Sequence, residues 1–114
     1  MMKVTAGVHV LGNLHGCPKE LLEKVDIVRD ILKKTVSEAN FNPVGETFHQ
    51  FEPYGVTGII LLAESHVSVH TWPEKNFVAV DIFTCGKEGN AELGFEILCK
   101  YFKPEKIDKQ VVKR

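Results

Sequence analysis

The run Leu62-Ala63-Glu64-Ser65-His66-Val67-Ser68-Val69-His70-Thr71-Trp72-Pro73-Glu74 decides how this chain folds. Val67, Val69 and Thr71 alternate with His66, Ser68 and His70, the period-two pattern of a strand with one apolar and one polar face. Glu64-Ser65 separates this strand from a β-type run at Thr57 to Ala63. Pro73-Glu74-Lys75-Asn76 carries turn chemistry, and Phe77 to Phe83 resumes strand composition. Connections this short favour antiparallel neighbours.

Working outward, Val44 to Phe51 is a further strand, set off by Glu52-Pro53-Tyr54-Gly55. Val8 to Leu14 is the first strand. Cys17-Pro18-Lys19-Glu20 then turns the chain into helix, with Pro18 suited to a first helical position. Val28, Ile31, Leu32, Thr35 and Ala39 fall at helical spacing, with Asp26 as the expected N-cap. Asn40 and Asn42-Pro43 end that helix. Asn90 to Phe102 predicts a second helix burying Leu93, Ile97, Leu98 and Tyr101. Pro104 stops it, and Lys106 to Val112 is a last strand. The order predicts an α+β fold: a two-layer α/β sandwich with a mainly antiparallel sheet and two helices on one face. The other sheet face needs a cover, and a second copy of the chain is the simplest one. The chain is read as one domain, 1–114, with a modest core that dimerisation through the sheet side would extend.

The sequence has 114 residues, 44% of them hydrophobic, and a formal net charge of -1. That balance gives no electrostatic footprint for nucleic acid or an anionic membrane. The Lys106–Arg114 stretch is interrupted by Ile107, Asp108 and Val111-Val112, so it reads as an exposed strand rather than a basic arm. No apolar run reaches membrane-spanning length, and Met1 to Gly7 lacks a signal-peptide core. Cys17, Cys85 and Cys99 are odd in number and show no CxxC spacing, which argues against a disulfide framework or a zinc ribbon. A reducing, cytoplasmic setting is expected. His66 and His70 would share a metal on a helix, but on a strand they stand about 13 Å apart. No metal is expected, and His66 reads as a polar strand residue.

Ala63-Glu64-Ser65-His66, then Ser68-Val69-His70-Thr71-Trp72-Pro73-Glu74, then Asp81-Ile82-Phe83-Thr84-Cys85-Gly86 form one dense pattern. Phe48-His49-Gln50-Phe51 and Gly55-Val56-Thr57-Gly58 extend it upstream. Over roughly Val8 to Gly86 the chain resembles the proenzyme of the prokaryotic S-adenosylmethionine decarboxylases. The resemblance implies that the Glu64-Ser65 bond cleaves itself, leaving 1–64 and 65–114. Ser65 would become a pyruvoyl cofactor that holds the substrate as a Schiff base. His70 aligns with the processing base and Cys85 with the catalytic proton donor. Thr57 stands where a serine usually supports the processing intermediate. Phe51 aligns with an aromatic that stacks on adenine, and Glu74 with the carboxylate that holds the ribose. The implied reaction converts S-adenosylmethionine to its decarboxylated, aminopropyl-donating form and CO2, for spermidine synthesis.

The chemistry suits these residue types. A serine hydroxyl can attack its own upstream carbonyl, turning the amide into an ester. β-Elimination then releases the upstream segment, and a neutral histidine suits removal of the Cα proton at pH 7. Ser65 and His70 on one extended strand, however, lie about 16 Å apart. Their odd spacing also points them to opposite faces. In a two-fold homodimer, His70 of one copy can approach Ser65 of the other. The resemblance implies the same division: Ser65 and Cys85 from one chain, Phe51, Thr57, His70 and Glu74 from its partner. Asn13 and His15 depart from the pattern, standing where an acid and an aromatic are common. Pyruvoyl-dependent arginine decarboxylation is the alternative activity, and a non-catalytic dimeric binding protein is the alternative of another class.

Overall fold

The computed structural model of the chain describes residues 6–85 and 90–114. Gly86, the last residue of the Asp81–Gly86 string, lies outside them, as does most of the Met1–Gly7 segment. Six strands form one sheet: β1 (Gly7–His15), β2 (Pro43–Gln50), β3 (Val56–Leu62), β4 (Ser65–Trp72), β5 (Phe77–Cys85) and β6 (Lys106–Lys113). Their spatial order is β2-β3-β4-β5-β1-β6. Every neighbouring pair is antiparallel. Two helices, α1 (Val25–Glu38) and α2 (Ala91–Phe102), pack on one face of this sheet. The expected α+β two-layer architecture is therefore the one that forms.

Alternation along the strands sets the layers. In β4, Val67 and Val69 are fully buried while His70 is exposed. Val10 and Leu14 of β1, and Val78, Val80 and Ile82 of β5, join the same core with Leu32, Leu98 and Phe102 from the helices. The opposite face carries His9, Asp81, His66 and His70, together with exposed Leu11, Leu61 and Trp72.

Three local expectations are corrected. The N-cap of α1 is Lys24, not Asp26. Asp26 lies inside the first turn, where its carboxylate complements the positive end of the helix. Pro18 precedes a single 3-10 turn at Lys19–Leu21 instead of opening a helix. Leu93 is 40% exposed. The buried stripe of α2 is Ala91, Gly94, Phe95, Leu98, Cys99 and Phe102, with Ile97 and Tyr101 only at its margin. Gly94 explains the rotation: a Cβ there would come within 2.8 Å of the Phe41 ring, so the bare backbone marks the packed face.

Candidate active site

The β3–β4 connection consists of Ala63 and Glu64. Asn42 fixes it on both sides. The Ala63 N–H donates to the Asn42 carbonyl at 2.8 Å. The Glu64 carboxylate accepts from the Asn42 N–H at 3.1 Å and from Asn42 Nδ2 at 2.7 Å. Desolvation works against the charged carboxylate, but the hydrogen bonds from Asn42 and from Glu64's own N–H outweigh it and hold its pKa below the usual range.

The carbonyl of the Glu64-Ser65 bond is also held. It accepts a hydrogen bond from the Cys85 N–H at 3.0 Å. A donor there polarises the carbonyl and would support negative charge on its oxygen if a nucleophile added. Ser65 opens β4 and pairs in register with Thr84. Its Oγ lies 3.4 Å from His66 Nδ1. Cys85 ends β5 as an exposed, free thiol. Glu64, Ser65 and Cys85 thus meet at one end of the central strands.

The other predicted residues meet at the opposite end. Thr57 and His70 pair across β3 and β4, with Thr57 Oγ1 3.0 Å from His70 Nδ1. Phe51, Thr57, His70 and Glu74 line one cavity of about 360 Å³, with Tyr54, Gly55, Thr71 and Trp72. Phe51 is 47% exposed, not a core residue, and its ring stands edge-on to His49. Gln50 braces the loop below it: Nε2 donates to the carbonyls of Glu23, Phe51 and Gly55. Gly55 has φ 121, a left-handed-side conformation that a side chain resists. A larger cavity, about 500 Å³, opens between the C-terminal end of α1 and β2, and none of the predicted residues lines it.

The chain therefore places the sequence-predicted residues in two separate groups at opposite ends of the central strands. Within the chain Ser65 and His70 lie five residues apart along extended β4, a separation of about 16 Å.

One cluster escaped the sequence reading. His66 Nε2 lies 3.2 Å from Asp81 Oδ2. His9 Nε2 hydrogen-bonds the other oxygen, Asp81 Oδ1, and the Arg114 guanidinium lies 3.3 Å from His9 Nδ1. The ligand-capable atoms of His9, His66 and Asp81 fall within 4.8 Å of one another. Both Asp81 oxygens are already occupied by ring nitrogens, and a guanidinium adjoins, so the arrangement reads as a hydrogen-bonded chain rather than a metal centre. Asp81 is diagonal to His66 across the β4–β5 pair. That placement was readable from the short Pro73–Asn76 connection, whereas His9 arrives from a strand far away in sequence.

Asn13, where an acid was expected, lies directly across from Asp108 of β6. Asp108 accepts from His15 Nε2 at 3.0 Å. A carboxylate is thus present beside position 13, supplied by another strand. Cys17 and Cys99 are buried. Burial, with the neighbouring Cys99, pushes the Cys17 thiol up to about 12. Burial pushes Cys99 up to about 11. Neither is a reactive thiol at neutral pH.

A family model described as S-adenosylmethionine decarboxylase matches residues 8–114. The chain is 45% identical over 108 residues to the S-adenosylmethionine decarboxylase proenzyme of Archaeoglobus fulgidus, covering 95% of this chain and 96% of that one. It is 41% identical over 113 residues to the proenzyme of the same name from Persephonella marina, covering 99% and 85%. The crystal structure of the adenosylmethionine decarboxylase from Aquifex aeolicus aligns with a TM-score of 0.93 at 38% identity, over 98% of this chain and 92% of that one. Sequence and fold agree over nearly the whole length, and the chain belongs to the S-adenosylmethionine decarboxylase family.

Proposed function

We propose that this chain is a self-processing, pyruvoyl-dependent decarboxylase of S-adenosylmethionine. The observation that carries the reading is the Glu64-Ser65 bond, set in a tight hairpin with its carbonyl held by the Cys85 N–H. Ser65 Oγ adds to the Glu64 carbonyl carbon, the C–N bond opens, and an ester joins the two segments. Loss of the residue-65 Cα proton then expels the Glu64 carboxylate. The dehydroalanine left behind takes up water and releases ammonia, leaving a pyruvoyl group at position 65.

The surroundings of residue 65 fit such a group. Among the described residues, Thr84 Oγ1 is the buried side-chain polar atom without a hydrogen-bond partner. It belongs to the cross-strand partner of Ser65. An orphan donor there suits a group that brings new carbonyl oxygen to position 65. The pyruvoyl group supplies an electron sink for loss of CO2 from an α-amino acid.

The remaining residues divide between two protomers in this reading. Two sheets packing by their open faces stand about 10 Å apart. A two-fold axis running between them and across the strands reverses β4, so the Ser65 end of one copy lies over the His70 end of the other. His70, hydrogen-bonded to Thr57, then takes the Cα proton. Phe51 offers a face to adenine, and Glu74 accepts from two ribose hydroxyls. Cys85 returns a proton to the former α-carbon. That role needs a free thiol, which suits a reducing, cytoplasmic setting. No helix among the described residues is long and apolar enough to cross a membrane.

Substrate identity is tested by release of labelled CO2 from carboxyl-labelled S-adenosylmethionine, run beside labelled arginine. The expected result is release from the former. The cavity holding Phe51 and Glu74 lacks the paired carboxylates a guanidinium would favour. Turnover of arginine alone would overturn the substrate while leaving the pyruvoyl mechanism standing.

Cys85→Ala protein that still self-cleaves should lose about 10²–10⁴-fold in decarboxylation, the usual contribution of a positioned proton donor. Unchanged turnover would remove Cys85 from that role.

A further inference from the structure

Self-cleavage as proposed needs two proton transfers at different atoms. The Ser65 hydroxyl must lose its proton as it attacks, and the Cα of residue 65 must lose one later. His70 answers only the second, and from another protomer. Within the chain, the ring nearest the hydroxyl is that of His66.

The hydrogen-bond directions along the cluster follow from its far end. Arg114 can only donate, so His9 Nδ1, 3.3 Å away, is the acceptor. His9 then carries its proton on Nε2 and donates to Asp81 Oδ1. Asp81, as a carboxylate, only accepts, so the proton of His66 also sits on Nε2, 3.2 Å from Asp81 Oδ2. That leaves His66 Nδ1 unprotonated, with its lone pair 3.4 Å from Ser65 Oγ. Each link fixes the tautomer of the next, and the last bare nitrogen faces the nucleophile. Phe83 packs against both rings, at 5.4 Å from His9 and 6.2 Å from His66 between centroids. The two histidine side chains are only 16% and 27% exposed.

Resting on the self-cleavage reading above, we infer that His66 is the base that deprotonates Ser65 Oγ for the acyl shift, and that Asp81 and His9 are positioning residues that hold its tautomer. The Oγ–H proton passes to His66 Nδ1 as the bond from Oγ to the Glu64 carbonyl carbon forms. The same proton passes to the nitrogen of residue 65 as the C–N bond breaks. The step therefore consumes and releases no proton overall, and His66 ends neutral. The chain thus uses a base in cis for the acyl shift and leaves the Cα proton to His70 in trans. A nitrogen with its orienting carboxylate behind it is the usual arrangement for activating a serine.

The test follows self-cleavage by intact mass, with and without hydroxylamine, which cuts the ester but not the amide. Wild-type protein must cleave; if it does not, the self-processing reading itself fails. His70→Ala should stay joined yet be cut by hydroxylamine, because the ester forms and is not eliminated. His66→Ala should cleave about 100-fold more slowly or worse and resist hydroxylamine, because the ester does not form. Added imidazole should restore part of its rate, which a merely structural loss would not allow. Asp81→Asn reverses the tautomer constraint and should show the same slow, hydroxylamine-resistant behaviour. It serves as the second variant if His66→Ala does not fold. Wild-type cleavage in either variant would overturn the assignment, as would ester accumulation in folded His66→Ala.

Discussion

Ser65→Ala protein is expected to remain a single chain of 114 residues while the wild type resolves into 1–64 and 65–114. The second wild-type fragment should carry a blocked, carbonyl-bearing N-terminus. The substitution removes both the nucleophile and the oxygen that leaves in β-elimination, so neither half of the processing can proceed. It leaves the architecture alone. The register of β4 on β5 and the Cys85–Glu64 hydrogen bond are backbone features that do not use Oγ. Decarboxylation should fall to background, a loss of about 10⁶-fold or more, because the prosthetic group never forms. Intact-mass analysis of the two proteins decides the matter. Wild-type chain that stays whole after prolonged warming, with no mass for a pyruvoyl species, would sink the enzyme reading.

Mixed dimers of Ser65→Ala and His70→Ala subunits should recover cleavage that neither variant shows alone. If each site takes Ser65 from one protomer and His70 from the other, the mixed dimer holds one complete site and one doubly defective site. Only the His70→Ala chain is cut. After random exchange, about half of those chains sit in mixed dimers, so about half should cleave. β4 is extended and paired on both sides, so it cannot fold back to bring its two ends together. Absence of cleavage in mixed dimers shown to have formed would mean that His70 acts within its own chain.

The strands were legible because β-type runs alternate with short connections, and the period-two pattern is clear in β4. Asn40, at φ 60, closes the first helix as its composition suggests. Helix faces were less legible where packing depends on a missing side chain. Gly94 contributes nothing to an apolar count, yet it admits the Phe41 ring and so rotates α2 away from Leu93. The run β2-β3-β4-β5 followed from the short connections, but the place of β1 in the sheet was not legible. β1 lies between β5 and β6, and only long-range pairing decides that. The site follows the same division. Ser65, His70 and Cys85 stand in a local string, and Thr57 meets His70 through a short hairpin. The role inferred for His66 rests on its contacts with Asp81 and, through Asp81, His9, and His9 belongs to the strand whose place in the sheet could not be read.

That strand order also governs what a cut at position 64 does to the molecule. The first piece would own β1, β2, β3 and α1, and the second β4, β5, α2 and β6. Because β1 is gripped between β5 and β6, the two pieces are clasped rather than laid side by side. Severing the hairpin would change the covalent connectivity and leave the sheet standing. It would also make folding a one-time event. A whole chain finds its fold as a single molecule, whereas severed pieces must first meet, so their recovery after unfolding would fall with dilution. A proenzyme with this clasp gains from maturing only after it has folded.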